Sequence, residues 1–307
     1  MTAYEADETT GALTFLSAIT SAAAPDTPRI VAHPSLPFIY TVGNASIDGF
    51  SFDKTTGTLT RLSGFPLAHG YSGYSLLMNS TGTKFFHGTL TGRILSYSVN
   101  QSTGALTSLS DSVWQACYTL VLSTDETKLY CVEPGNVHTA TLSATGAFSA
   151  HAATVVGADN GLVLIPGTSF LFSSTATAGI IYRHTINAGT QNAGAGANTG
   201  LNLSNIRPLA HPSGSHLILP LTTAGGEIRS YSVNSTTGVL TLTNTLVVGI
   251  GLRVPVMSVD GAFVYFPSGA ASVGSVSFSS GTFSTVTGSP FSTQGNGTPM
   301  ALATAAY

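Results

Sequence analysis

The chain has 307 residues, of which 7% are charged and 43% hydrophobic, with a net charge of −3 from 10 Lys+Arg against 13 Asp+Glu. That composition is too apolar for a disordered chain, and no run reaches the ~20 apolar residues of a membrane-spanning helix. The basic residues are scattered singly, with no stripe to follow a phosphate backbone, so neither nucleic acid nor a membrane is an expected partner.

The first residues read as two strands, one carrying Tyr4 and Ala6 and the next Leu13 and Phe15, joined by a turn that ends in Thr10-Gly11. The stretch from Thr27 to Leu59 then runs through a short strand, a His-Pro-Ser turn and an apolar strand. A polar loop, an alternating strand with Phe50 and Phe52, and an Asx-x-x-Thr-Gly turn complete it. Ile206 to Leu240 rewrites that unit closely, with Tyr231 and Val233 in the alternating strand. Thr-Gly or Ser-Gly turns recur at Thr56-Gly57, Thr103-Gly104, Thr145-Gly146, Thr237-Gly238 and Ser280-Gly281, and a degenerate copy lies near Gly189–Gly194 in the Gly/Ala/Asn-rich stretch Ala188–Gly200. With Thr10-Gly11 this makes seven repeats of about 44 residues, the length of one four-stranded propeller blade.

Inner strands are expected at Ile30–Ala32, Leu76–Met78, Leu120–Leu122, Leu162–Leu164, Pro208–Ala210, Val254–Met257 and Met300–Thr304, each but the last followed by a second strand after a short turn. Period-two alternation between glycine-bearing turns is the strand signature, and no 3.6-residue stripe competes with it. The N-terminal strands have no inner strand before them, and Pro299–Tyr307 supplies an inner strand with nothing after it. The two ends together are expected to make the last blade and so remove an open edge. The expectation is one all-β domain over residues 1–307, a seven-bladed β-propeller closed by its N- and C-terminal strands.

The succession of Pro/Arg, apolar strand, His-Pro-Ser, apolar strand and Asx-x-x-Thr-Gly-x-Leu resembles the lactonase-type seven-bladed propellers, which include 6-phosphogluconolactonases and carboxy-muconate cycloisomerases. That family carries Gly-Pro-Arg-His before the apolar strand and His-Pro of one blade. Here the segment is Asn205-Ile206-Arg207-Pro208-Leu209-Ala210-His211-Pro212, in which Arg207 and His211 match and the intervening His is absent. The family's Asp-Leu-Gly loop is replaced by Ser173-Ser174-Thr175-Ala176, and its Pro-Cys-His segment by Ser72-Gly73-Tyr74-Ser75. The resemblance implies the fold. With those motifs replaced, it is closest in character to divergent fungal natural-product propellers such as hetero-Diels–Alderases.

In a propeller, the loops leading into inner strands and those between second and third strands share one face around a central channel, where ligands bind. The first set of slots holds Arg29, His69, Tyr74, Trp114, Tyr118, Asp159, Arg207 and Arg253, and the second set includes His87 and Glu133. Arg29 and Arg207 fall in the same repeat slot. A guanidinium is a rigid fork of donors for a carboxylate, enolate or carbonyl oxygen, and in a dry channel it stabilises oxygen charge that develops during reaction. Arg207, Glu133, His87 and Tyr118 are therefore the candidate catalytic residues, with Glu133 and His87 as proton carriers. Arg29, His69, Tyr74, Trp114, Asp159 and Arg253 are the candidate substrate-binding residues. His33 and His211 precede the proline of the first turn, on the opposite face, and read as structural. Asp53, Asp125 and Asp260 read as turn residues.

No metal-ligand spacing, nucleophile elbow, P-loop or dinucleotide fingerprint occurs in a suitable context, so no metal or other cofactor is expected. The expected activity is cyclisation, isomerisation or elimination of a small, largely apolar, oxygen-bearing molecule. Lactone hydrolysis and simple ligand binding are the alternatives, with the protein a monomer or weak dimer. The N-terminal MTAYEADETTG has no cationic start or apolar run. Six Asn-x-Ser/Thr sequons (Asn44, Asn79, Asn100, Asn202, Asn234 and Asn296) favour a mature secreted glycoprotein, with a cytoplasmic location as the alternative. Cys117 and Cys131 bracket a predicted hairpin, as a disulfide or as two buried thiols.

Overall fold

The computed structural model describes residues 1–307 except 22–28, 44, 114–115, 150, 156–160, 176–178, 188–189, 199–206, 222–224, 250–251, 253, 269–270, 294–300 and 305–307. The chain opens with a hairpin of β1 (Thr2–Ala6) and β2 (Leu13–Ala18). The first sheet contains β3 (Arg29–Ala32), β4 (Phe38–Val42), β5 (Ser46–Phe52), β6 (Leu59–Arg61) and β7 (Leu67–Ala68). The second holds β8 (Gly73–Met78), β9 (Lys84–Thr89), β10 (Arg93–Val99) and β11 (Leu106–Val113), and the third β12 (Thr119–Leu122), β13 (Lys128–Glu133), β14 (Asn136–Thr141) and β15 (Ala152–Val155). The fourth is β16 (Leu162–Leu164), β17 (Phe170–Ser174), β18 (Ile180–Asn187) and β19 (Thr190–Asn198). The fifth is β20 (Leu209–Ala210), β21 (His216–Leu221), β22 (Glu227–Val233) and β23 (Leu240–Val247). The sixth is β24 (Val256–Met257), β25 (Phe263–Ser268), β26 (Ser272–Ser279), β27 (Thr282–Thr285) and β28 (Phe291–Ser292).

Each sheet is an antiparallel meander, and the innermost strands β3, β8, β12, β16 and β20 lie against one another in succession. The architecture is that of an all-β propeller, with no helix among the described residues. Six sheets have four or five strands, so the described residues form six blades where seven were expected. The remaining repeat is represented by the two-stranded β1–β2 sheet. The strand expected at Met300–Thr304 is not formed: Met300 lies outside the described residues, and residues 301–304 have no ladder. That segment is held otherwise, by the Thr304 hydroxyl donating to Met257 O at 2.8 Å and by Leu302 packing on the cluster of Phe263, Tyr265, Val273 and Val286. The degenerate copy expected near Gly189–Gly194 also differs. Gly189 lies outside the described residues, Gly194 is within β19, and two residues separate β18 from β19.

The apolar core lies between sheets, because each strand sends alternate side chains to opposite faces. Tyr40 and Phe85 pack between the first and second sheets, Phe86 and Leu129 between the second and third, and Tyr130 and Leu171 between the third and fourth. Phe172 with Leu219, and Ile218 with Phe266, continue the series. Cys117 and Cys131 form a disulfide in the second of these layers, with Cα atoms 5.7 Å apart. The thiols are bonded because Cys117, just before β12, stands beside Cys131 of the adjacent β13.

A recurrent clasp joins successive sheets. The outer turn of one sheet offers a backbone carbonyl to a side-chain donor of the sheet before it. Tyr40 donates to Gly104 O at 2.7 Å, Ser96 to Gly146 O at 2.7 Å, and Arg183 to Thr237 O at 2.5 Å. Ser230 donates to Gly281 O, Ser275 to Gly11 O at 3.2 Å, and Ser17 to Gly57 O at 2.5 Å. The N-terminal hairpin is thus clasped to the sixth sheet on one side and to the first on the other. The turn must come close: Gly104 has φ +70°, and a Cβ there would sit 2.7 Å from Leu62 and 3.0 Å from Phe38. An ion pair between exposed Arg61 and buried Asp48 reinforces the contact of the N-terminal segment with the first sheet. Arg61 meets Asp48 at 3.0 Å and also donates to Thr20 O at 2.9 Å, while Ser21 donates to Asp48 at 3.1 Å.

The residues assigned to turns do that work. Asp53 Oδ1 accepts from Thr55 N and Thr56 N, and Asp260 Oδ1 from Ala262 N. His33 Nδ1 accepts from Ser35 N and Leu36 N, with its ring directly beneath Gly82 of the next sheet, and His211 lies in the same way beneath Gly261.

Candidate functional site

Four residues from the starts of innermost strands meet over the axis. Arg29 opens β3, Tyr74 is the second residue of β8, Tyr118 immediately precedes β12, and Arg207 lies two residues before β20. The antiparallel ladders set these strand starts at the end where the second strands finish, as in Arg29 opposite Val42 and Thr119 opposite Val132. The side chains therefore share one face although their sheets are spread around the ring.

Tyr74 is the centre of the group. The Arg29 guanidinium stands 4.6 Å from its ring centroid, that of Arg207 5.8 Å, and the Tyr118 ring packs at 5.1 Å with a 45° tilt. Arg207 Nη2 donates to Tyr118 O at 2.8 Å, crossing from the fifth sheet to the third over the one between. The aromatic faces offset part of the cost of holding cations here, and partial exposure of all four residues leaves the group open to a ligand. No carboxylate among the described residues comes within ion-pair distance of Arg207. Burial, with the charge of Arg29 alongside, pushes the Arg207 guanidinium down to about 9, so it is still a cation at neutral pH. Burial lowers Arg29 as well. Two guanidinium forks a short distance apart, one lacking an acidic counterpart, present directed donors to an oxygen-bearing or anionic ligand.

The expected proton carriers are elsewhere. His87 is fully buried on β9 between the first two sheets, beneath Gly73, where an added Cβ would lie 2.8 Å from its ring. Its ring is 4.6 Å from that of His69. Burial, then the neighbouring His69, pushes His87 down to about 3, and burial lowers His69. His87 is accordingly neutral near pH 7 and packed away from solvent, which does not suit proton transfer with a ligand. Glu133 closes β13, and its Oε1 accepts from His138 Nε2 at 2.6 Å and Asn136 Nδ2 at 3.0 Å. His138 Nδ1 is in turn 2.9 Å from His151 Nδ1. Sequence reasoning missed this carboxylate–imidazole–imidazole chain. The Pro134-Gly135 turn pairs Glu133 with Asn136, so residues 133, 136 and 138 share a face, which is the signal that marks it. Trp114, Asp159 and Arg253 lie outside the described residues.

No protein-family model matches the sequence, and no curated protein matches it either. Solved structures do. A Bacteroides fragilis protein described as a candidate 6-phosphogluconolactonase superposes with a TM-score of 0.78 at 16% identity, covering 98% of this chain and 92% of its own. The periplasmic gluconolactonase PpgL of Pseudomonas aeruginosa gives 0.73 at 15%, covering 94% and 92%. The propeller domain of Cps50 (Swd1) from Myceliophteria thermophila gives 0.69 at 12%, over 94% and 92%. At such identities the likeness establishes the propeller fold, and lactonase-type propellers are among its neighbours.

Proposed function

We propose that the protein binds a small oxygen-rich molecule over the arginine–tyrosine group and opens lactones there by hydrolysis. The observation that carries this reading is Arg207, a densely surrounded guanidinium with one backbone acceptor and no acidic counterpart among the described residues. Likeness to lactonase-type propellers supports hydrolysis over cyclisation. Water adds to the lactone carbonyl carbon, and the carbonyl oxygen becomes negative while facing the guanidinium donors. The ring C–O bond then breaks, the proton of the attacking water passes to the leaving oxygen, and a hydroxy acid is released. Its carboxylate matches the same two forks.

The cyclase reading keeps one argument: the group offers cations and phenols but no carboxylate base among the described residues, which suits a reaction that needs only a polarised oxygen. The test is a panel of five- and six-membered sugar lactones, with acid release followed by a pH indicator for the wild type and Arg207→Gln. Opening well above the spontaneous rate, lost in the variant, is expected. Background-rate opening throughout would sink the hydrolase reading.

We further propose that the β1–β2 hairpin and the C-terminal segment together fill a seventh position in the ring. The clasps of the hairpin to the sixth and first sheets and the packing of Leu302 support this. The Cys117–Cys131 disulfide supports passage of the protein through an oxidising, secretory compartment. Of the described sequons, Asn79 is unsuited to carry a glycan: it is buried, and its side chain bonds Thr81 and Lys84 N. Asn100 and Asn234 are exposed. The protein is proposed to act on its substrate without a cofactor, as a monomer or weak dimer.

A further inference from the structure

Among the described residues six outer turns deliver a carbonyl to a donor on the sheet before them, and none is found for the fourth sheet. The fourth sheet joins β18 to β19 through two residues, with Asn187 already paired to Thr190, where the second sheet uses a six-residue Asx-x-x-Thr-Gly turn between Val99 and Leu106. At the junction this leaves open, Tyr130 of the third sheet stands where Tyr40 stands in the first. Tyr40 is paired with Val31, the third residue of β3, and Tyr130 with Val121, the third residue of β12. Tyr40 donates to Gly104 O of the following sheet. Tyr130 is equally buried, and its hydroxyl has no hydrogen-bond partner among the described residues. Beside it lies a cleft of about 360 Å³, walled by Asp125, Thr127 and Lys128 on one side and Leu164, Thr168 and Ile186 on the other.

We propose that this cleft is a docking site for a tight, glycine-bearing turn of another polypeptide, whose carbonyl accepts the Tyr130 hydroxyl. The occupant follows from the sister junctions, where the corresponding space takes a Thr-Gly or Ser-Gly turn and the donor beside it takes that turn's carbonyl. A side chain at the turn's closest approach would clash, as one does at Gly104, which restricts the occupant to glycine there. A buried hydroxyl without a partner costs stability until an acceptor arrives, so binding recovers a bond the isolated fold forgoes. The six clasped turns among the described residues are all engaged internally, so the proposed occupant is a turn supplied from another polypeptide.

The test uses the whole protein and a cyclised peptide carrying Asn-Gln-Ser-Thr-Gly-Ala, the sequence of the turn at Gly104. Saturable amide shift changes at Ser123–Lys128 and Thr168–Ser169 are expected, weakened ~3–10-fold by Tyr130→Phe and abolished when Val replaces the peptide glycine. A second variant, with the same six residues in place of 188–189, should fill the cleft internally and stop taking the peptide. Absence of saturable shifts, equal affinity in Tyr130→Phe, or an undiminished response in the folded graft each overturns the proposal. So does self-association that Tyr130→Phe abolishes, which would make a second copy the occupant.

Discussion

Arg207 Nη2 donates to the backbone carbonyl of Tyr118, a residue 89 positions earlier and two sheets away. A bond of that reach forms only where loops from separated sheets converge over the axis, and it holds the guanidinium over Tyr74 beside Arg29.

Replacing Arg207 with Gln is expected to separate function from folding. Loss of the donor that faces the developing oxyanion should lower kcat/KM for a lactone substrate by ~10²–10³-fold. The melting temperature should stay level or rise, because a partly buried cation beside another cation is removed. A large drop in melting temperature, measured by differential scanning fluorimetry, would instead mark Arg207 as a structural tie.

Acid should destabilise the fold through buried imidazoles. His87 is held at about 3 and His184 at about 4, against an ordinary value of 6.5, in both cases chiefly by burial. Below about pH 6.5 the unfolded chain takes up protons that the folded chain refuses, so this contribution to stability is complete above that pH and is lost progressively towards the folded values. Urea titrations from pH 7 to 4 should show falling midpoints, with a shallower fall for His87→Leu once its own midpoint at pH 7 is subtracted. An equal slope in the variant would remove His87 from the account.

Opening the Cys117–Cys131 bond, whose residues are 14 apart, should cost ~3 kcal/mol on the loop-entropy scale. The Cys117→Ala/Cys131→Ala protein is expected to unfold at lower urea than the oxidised wild type, with reduced wild type close to it. Coincident curves for all three would refute a stabilising bond.

Tyr40→Phe and Tyr130→Phe remove the same atom from equivalent places. The first orphans Gly104 O and should cost ~1–3 kcal/mol, whereas the second deletes an unbonded hydroxyl and should be neutral or stabilising. Equal losses in the two chemical denaturation curves would show that Tyr130 bonds in solution.

Much of the fold was legible because repetition is: the His-Pro-Ser turns, the Thr-Gly turns and period-two strands put Leu162–Leu164, Phe38–Val42 and His216–Leu221 where they are observed. The seventh blade was over-read, since a repeat count registers turns, whereas a sheet needs paired inner strands that residues 301–304 do not form. At the site, Arg29, Tyr74, Tyr118 and Arg207 were legible from their shared slot at the start of inner strands. His87 was misplaced because a strand-end position does not say which face a side chain takes, and on β9 that face lies between sheets. The Glu133–His138–His151 chain was hidden because it depends on hairpin register rather than on sequence proximity.

The clasps also bear on how the ring comes apart. Sheets fastened to their neighbours part first, under thermal stress, where no fastening is found among the described residues, and here that seam runs between the third and fourth sheets. Amide protons of β16 are therefore expected to exchange ahead of those of β8, so that slow breathing of the whole molecule begins at a hinge of known position.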